Sequence, residues 1–173
     1  MIKKSLFFVG VLCGLLLPGC PGQFPQPPFD ASGTFVGTWT GTPSGAAKQA
    51  VVDCPLTLTL TQNLAAPWPQ SFVVSGTALV DYDCFDLPAF IPTPAASAVQ
   101  VSGIVDGDGN LTLLSGACGT GACVVLSLTG AGVDADGDGF MESYDGAWAY
   151  TILIAGVEAF GFTGTYTTDR VTE

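Results

Sequence analysis

The chain has 173 residues, contains no histidine, and sets four lysines and arginines against fifteen aspartates and glutamates, a net charge of −11. Without histidine, imidazole-based acid–base or triad catalysis is excluded, and the negative charge repels nucleic acid and anionic headgroups. The length suits one domain with a full core.

The N-terminus, MIKKSLFFVGVLCGLLLPGC, places Lys3 and Lys4 before an apolar run from Leu6 to Leu17. About a dozen apolar residues cannot span a bilayer, which takes roughly 20; they suit the central region of a secretory signal. Leu17-Pro18-Gly19-Cys20 resembles the lipobox of bacterial lipoproteins. That resemblance implies a signal peptide over 1–19, cleavage before Cys20, and acyl chains on Cys20 that tie the chain to a membrane. It also implies a lipid-anchored place in the bacterial cell envelope, at the outer membrane, since Pro21 is not the aspartate of inner-membrane retention. An ordinary cleaved signal followed by a free cysteine is the alternative.

Cys13 lies inside the signal, so Cys54, Cys84, Cys118 and Cys123 remain beside Cys20, an even number in an oxidising compartment. Of the three pairings, the favoured one joins Cys118 to Cys123 across CGTGAC and Cys54 to Cys84 between neighbouring strands. A zinc site competes, but the chain has neither histidine nor a close CxxC pair.

Residues 20–32 hold the expected lipidated cysteine and a Pro-rich tether, PGQFPQPPFDAS. The domain is expected over 33–173. Strands fall near 33–42, 50–62, 70–82, 97–106, 110–116, 122–132, 146–155 and 158–168. PLTLTLTQ alternates with period two, and DGDGN (106–110) is a hairpin turn. The fold class is all-β: a single antiparallel up-and-down barrel of about eight strands, with a β-sandwich as the alternative. The strands lack the aromatic girdles of an outer-membrane barrel. The long connection Phe85 to Ala96 is apolar and suited to covering one end.

GTFVGTWTGT and AFGFTGTYTT share a Gly-Thr-aromatic texture, as the first and last strands of a closed sheet would. Gly37-Thr38-Trp39 is similar to the Gly-x-Trp signature of lipocalins. That resemblance implies that Arg170 packs on Trp39, a contact worth about 1 kcal/mol or more when desolvated; a plain core tryptophan is the alternative.

Residues 134–145, DADGDGFMESYD, match the twelve-residue spacing of an EF-hand loop. Asp134, Asp136, Asp138, the Phe140 carbonyl, Glu142 and Asp145 occupy its ligand positions, and Gly139 occupies the turn. A hard divalent cation takes six to eight oxygens, and alternate residues of a tight turn can aim them inward. Position 12 is Asp, as in dockerin-type loops, and the segment after Gly146 reads as a strand, so the resemblance covers the loop alone. The expected cofactor is a structural calcium ion; a solvated acidic hairpin is the alternative. Asp106-Gly107-Asp108-Gly109-Asn110 and the group Asp81, Asp83 and Asp86 read as turns. The expected function is a lipid-anchored, non-catalytic exported domain that holds a small apolar ligand or serves a surface-structural role. The alternative is a carboxylate-based hydrolase of surface polysaccharide, whose two acids must converge in space.

Overall fold

The structure, a computed structural model, describes residues 25–85, 97–118 and 121–172. Cys20 and the signal, the first residues of the tether, and residues 86–96 of the long connection lie outside the described residues. Eight antiparallel strands close into an up-and-down barrel in chain order. They are β1 (Gly33–Gly45), β2 (Val51–Gln62), β3 (Val73–Val80), β4 (Ser97–Val105), β5 (Asn110–Cys118), β6 (Ala122–Val133), β7 (Ser143–Ile154) and β8 (Val157–Arg170). The barrel is therefore the one expected from the strand count.

Two boundaries differ from expectation in ways that matter. The stretch expected to be one strand over 70–82 is strand only from Val73 to Val80, with short 3-10 turns at Gln70–Phe72 and Tyr82–Cys84 on either side. β7 begins at Ser143, ahead of Gly146, so Asp145 lies within the sheet.

Strict alternation sets the inner face. On β2, Leu56, Leu58 and Leu60 are buried while Thr59 and Thr61 are exposed, and burying each leucine contributes about 1.5–3 kcal/mol. The first and last strands pair from Phe35↔Arg170 through Gly45↔Phe160. This seam carries threonine on its outer face, with Thr38 opposite Thr167, Thr40 opposite Thr165 and Thr42 opposite Thr163. Glycine makes the close coiling possible: a Cβ on Gly37 would stand 1.8 Å from the Thr167 carbonyl oxygen, and one on Gly164 1.9 Å from that of Thr40. Small barrels bend sharply at such positions. The shared texture of the two strands thus reports their adjacency.

Side chains from the strands meet inside the barrel. Trp39 and Trp148 lie with ring centroids 4.8 Å apart. Phe85, from the segment after β3, enters this cluster edge-on to Trp39 at 5.6 Å and to Phe162 at 5.1 Å. So the first residue of the long connection does cover one end of the barrel. Cys54–Cys84 ties β2 to the turn just before Phe85, and Cys118–Cys123 closes the β5–β6 turn. Both are the pairings favoured from the sequence.

The other end is closed by residues expected to be tether. Phe29 is 5% exposed and Ala31 fully buried. Asp30 forms a parallel bridge with Phe140: its N–H donates to the Gly139 carbonyl at 2.8 Å, and its carbonyl accepts from the Met141 N–H at 2.9 Å. The domain therefore starts before Gly33, and residues 29–32 form a strap across the barrel mouth. Composition hides this, because one phenylalanine in a Pro-rich run shows no periodicity.

Candidate metal centre

The acidic loop joins β6 to β7 at the end closed by the strap. Its ends are clamped where the Glu142 N–H donates to the Val133 carbonyl at 2.7 Å. Gly137 (φ 77°) and Gly139 (φ 87°) take left-handed conformations that other residues seldom adopt. Those turns bring backbone N–H groups onto the side chains. Asp134 Oδ1 accepts from Gly137 N–H at 2.8 Å and Oδ2 from Gly139 N–H at 3.0 Å. Asp136 accepts from Asp138 N–H at 3.0 Å, and Asp138 from Phe140 N–H at 2.9 Å.

The result is a cluster in which one carboxylate oxygen from each of Asp134, Asp136 and Asp138 lies within 4.8 Å of the others. Two unit charges about 5 Å apart repel by roughly 1 kcal/mol in water and about four times that at an effective dielectric of 20. Each carboxylate oxygen retains acceptor capacity beyond its N–H bond, so the donor set suits a hard, oxygen-seeking cation.

Two of the other expected ligands, Glu142 and Asp145, each accept a backbone N–H. Glu142 Oε2 accepts from Ala135 N–H at 2.9 Å, which staples the start of the loop. Asp145 Oδ1 accepts from Thr168 N–H on β8 at 3.0 Å. Strand β7 has already begun here, and its pleat turns Asp145 to the outer face, toward β8. The Phe140 ring, 46% exposed, lies under the Arg170 guanidinium with 5.1 Å between the carbon and the ring centroid.

Arg170 corrects the expected stacking on Trp39. In the β1–β8 register Arg170 faces Phe35, while Trp39 faces Tyr166. Four residues of strand span roughly 13 Å, so the guanidinium sits over Phe35 at 5.8 Å instead. It donates through Nη1 to the Met141 carbonyl at 3.0 Å and through Nη2 to the Ser32 carbonyl. One side chain thereby joins strap, acidic loop and last strand. Only its position near the end of the last strand hinted at such a role.

Comparison with protein-family models, with curated proteins and with solved structures gives no match for this chain. What the site can do must come from its own geometry.

The other acidic groups serve their turns. Asp106 Oδ1 accepts from the N–H groups of Asp108 (2.9 Å) and Asn110 (2.8 Å), and Oδ2 from Asn110 Nδ2 at 2.9 Å. These bonds to Asn110 hold its carboxyl below the usual carboxylate range. Asp81 caps the turn at Tyr82–Cys84 by accepting from Asp83 N–H at 3.0 Å. Both behave as the turns read from sequence. Deeper in the barrel, burial pushes the hydroxyls of Tyr144, Tyr150 and Tyr166 well above the ordinary tyrosine range.

Proposed function

We propose that the chain is a lipid-anchored, non-catalytic domain of the bacterial cell envelope, in which a calcium ion at Asp134, Asp136 and Asp138 stiffens the β6–β7 loop. The observation that carries this reading is the convergence of those three carboxylates in a loop that the strap, Asp30 pairing with Phe140, holds in place. Three oxygens make half a calcium shell at most, so water completes it and the affinity is modest, near ~10⁻⁴–10⁻³ M as in extracellular modules. The interior rings that pack on one another favour a surface-structural role over holding a small apolar ligand.

Two measurements test the reading. Mass spectrometry of the mature chain should find acyl groups on Cys20; an unmodified N-terminus elsewhere removes the anchor. Calorimetric titration should show calcium binding in the wild type that Asp136→Ala abolishes. Absence of heat, with no thermal shift in millimolar calcium, would leave an acidic hairpin.

A further inference from the structure

We propose that the loop joining β2 to β3, residues 63–72, docks on the membrane and seats Trp68 and Leu64 at the level of zwitterionic headgroups. This deepens the lipid-anchor reading and rests on it.

The loop, NLAAPWPQSF, carries no charge in a chain with fifteen acids. Of three tryptophans, Trp39 and Trp148 are buried in the barrel, whereas Trp68 is 51% exposed between Pro67 and Pro69. Leu64, on the same loop, is 38% exposed. At the foot of the loop Val73 and Ile104 pair directly across β3 and β4 and are exposed as well. An open groove of about 390 Å³ lies between loop and strands, lined by uncharged residues that include Gln62, Asn63 and Gln70. Tryptophan, with an apolar body and one N–H donor, favours the water–hydrocarbon boundary.

Position identifies the occupant. Gln62 binds the strap and the loop together: its Oε1 accepts from Ala31 N–H at 2.8 Å, and its Nε2 donates to the Ser71 carbonyl at 2.7 Å. The exposed apolar loop therefore shares a rim with the strap that leads back toward Cys20. About nine residues separate Cys20 from the docked Phe29, a reach of at most roughly 30 Å. An anchored barrel is held with this rim near the bilayer. The same rim carries Asp106, Asp108 and the Asp134–Asp136–Asp138 cluster, which disfavour an anionic surface. A zwitterionic surface accepts the apolar loop without that repulsion.

The test uses the lipidated full chain in phosphatidylcholine vesicles, with Trp68→Phe isolating the Trp68 share of the emission. Bromine carried near the headgroups should quench that share at least about twofold, leave Trp39 and Trp148 largely untouched, and lose its effect with Leu64→Asp. A chain that floats with the vesicles while iodide in the water, and not bromine in the lipid, quenches Trp68 overturns docking and leaves the anchor standing. A chain that does not float overturns both. Trp68 already shielded from iodide in the unlipidated Cys20→Ser chain, in water without vesicles or detergent, also overturns docking, and assigns the loop to a contact with a second copy.

Discussion

The Arg170 guanidinium donates to the Met141 carbonyl at 3.0 Å, so the only arginine in the chain braces the exit of the acidic loop. It also reaches the Ser32 carbonyl on the strap and covers the Phe140 ring. Replacing it removes bonds from a charged donor, each worth about 1.5–3 kcal/mol. Arg170→Ala should therefore lower stability by about 2–4 kcal/mol in denaturant titration. Arg170→Lys should recover only part, because an ammonium lacks the planar fork that reaches both carbonyls. Full recovery would mean that charge alone matters.

Phe29 fills the space beside glycine: a Cβ on Gly132 would stand 2.5 Å from its ring. Phe29→Ala should cost about 3–5 kcal/mol if the strap is part of the cooperative unit. Amide exchange should then speed up at Asp30 and Met141, whose N–H groups bond across the bridge. Unchanged exchange there would show that the strap is dispensable.

The calcium reading separates two aspartates that sequence spacing groups together. Asp136→Asn should abolish the calcium-induced rise in melting temperature. Asp145→Asn should keep it, since that side chain is bonded to Thr168 on β8. A comparable loss in both would return Asp145 to the ligand set.

The two disulfides close loops of different length, with separations of 30 and 5 residues. If restriction of the unfolded chain dominates, removing Cys54–Cys84 should destabilise by about 1.6 kcal/mol more than removing Cys118–Cys123. Paired Cys→Ser variants in denaturant would measure the difference; equal losses would point to native-state contacts instead.

Alkaline pH should unfold the barrel through its tyrosines. Burial raises Tyr144, Tyr150 and Tyr166 above the ordinary value, so above about pH 10 the unfolded chain releases protons that the folded chain retains. Their contribution to stability is present below that pH and lost as pH rises past it. Tyrosinate absorbance should thus rise together with loss of β-sheet signal, and a tyrosinate signal that rises while the sheet persists would contradict this burial.

Period-two alternation in PLTLTLTQ specifies a half-buried strand without help from the rest of the chain, because a one-residue slip would put three leucines in water. Glycine placement on the first and last strands likewise foreshadowed closure, since only glycine tolerates backbone so close to its Cα. The cysteine pairing was legible from the turn between Cys118 and Cys123. What sequence spacing left undecided was direction. An aspartate at loop position 12 points inward only if the chain is still turning, and β7 pairing from Ser143 had already set its pleat. Arginine near the end of β8 was visible; that it meets Phe35 rather than Trp39 depends on the β1–β8 register. Burial of Phe29 depends on glycines at 109 and 132, distant in the chain, which leave room for its ring. Local periodicity and turn chemistry determined the strands and their order, and contacts between distant segments decided which side chains share the acidic end.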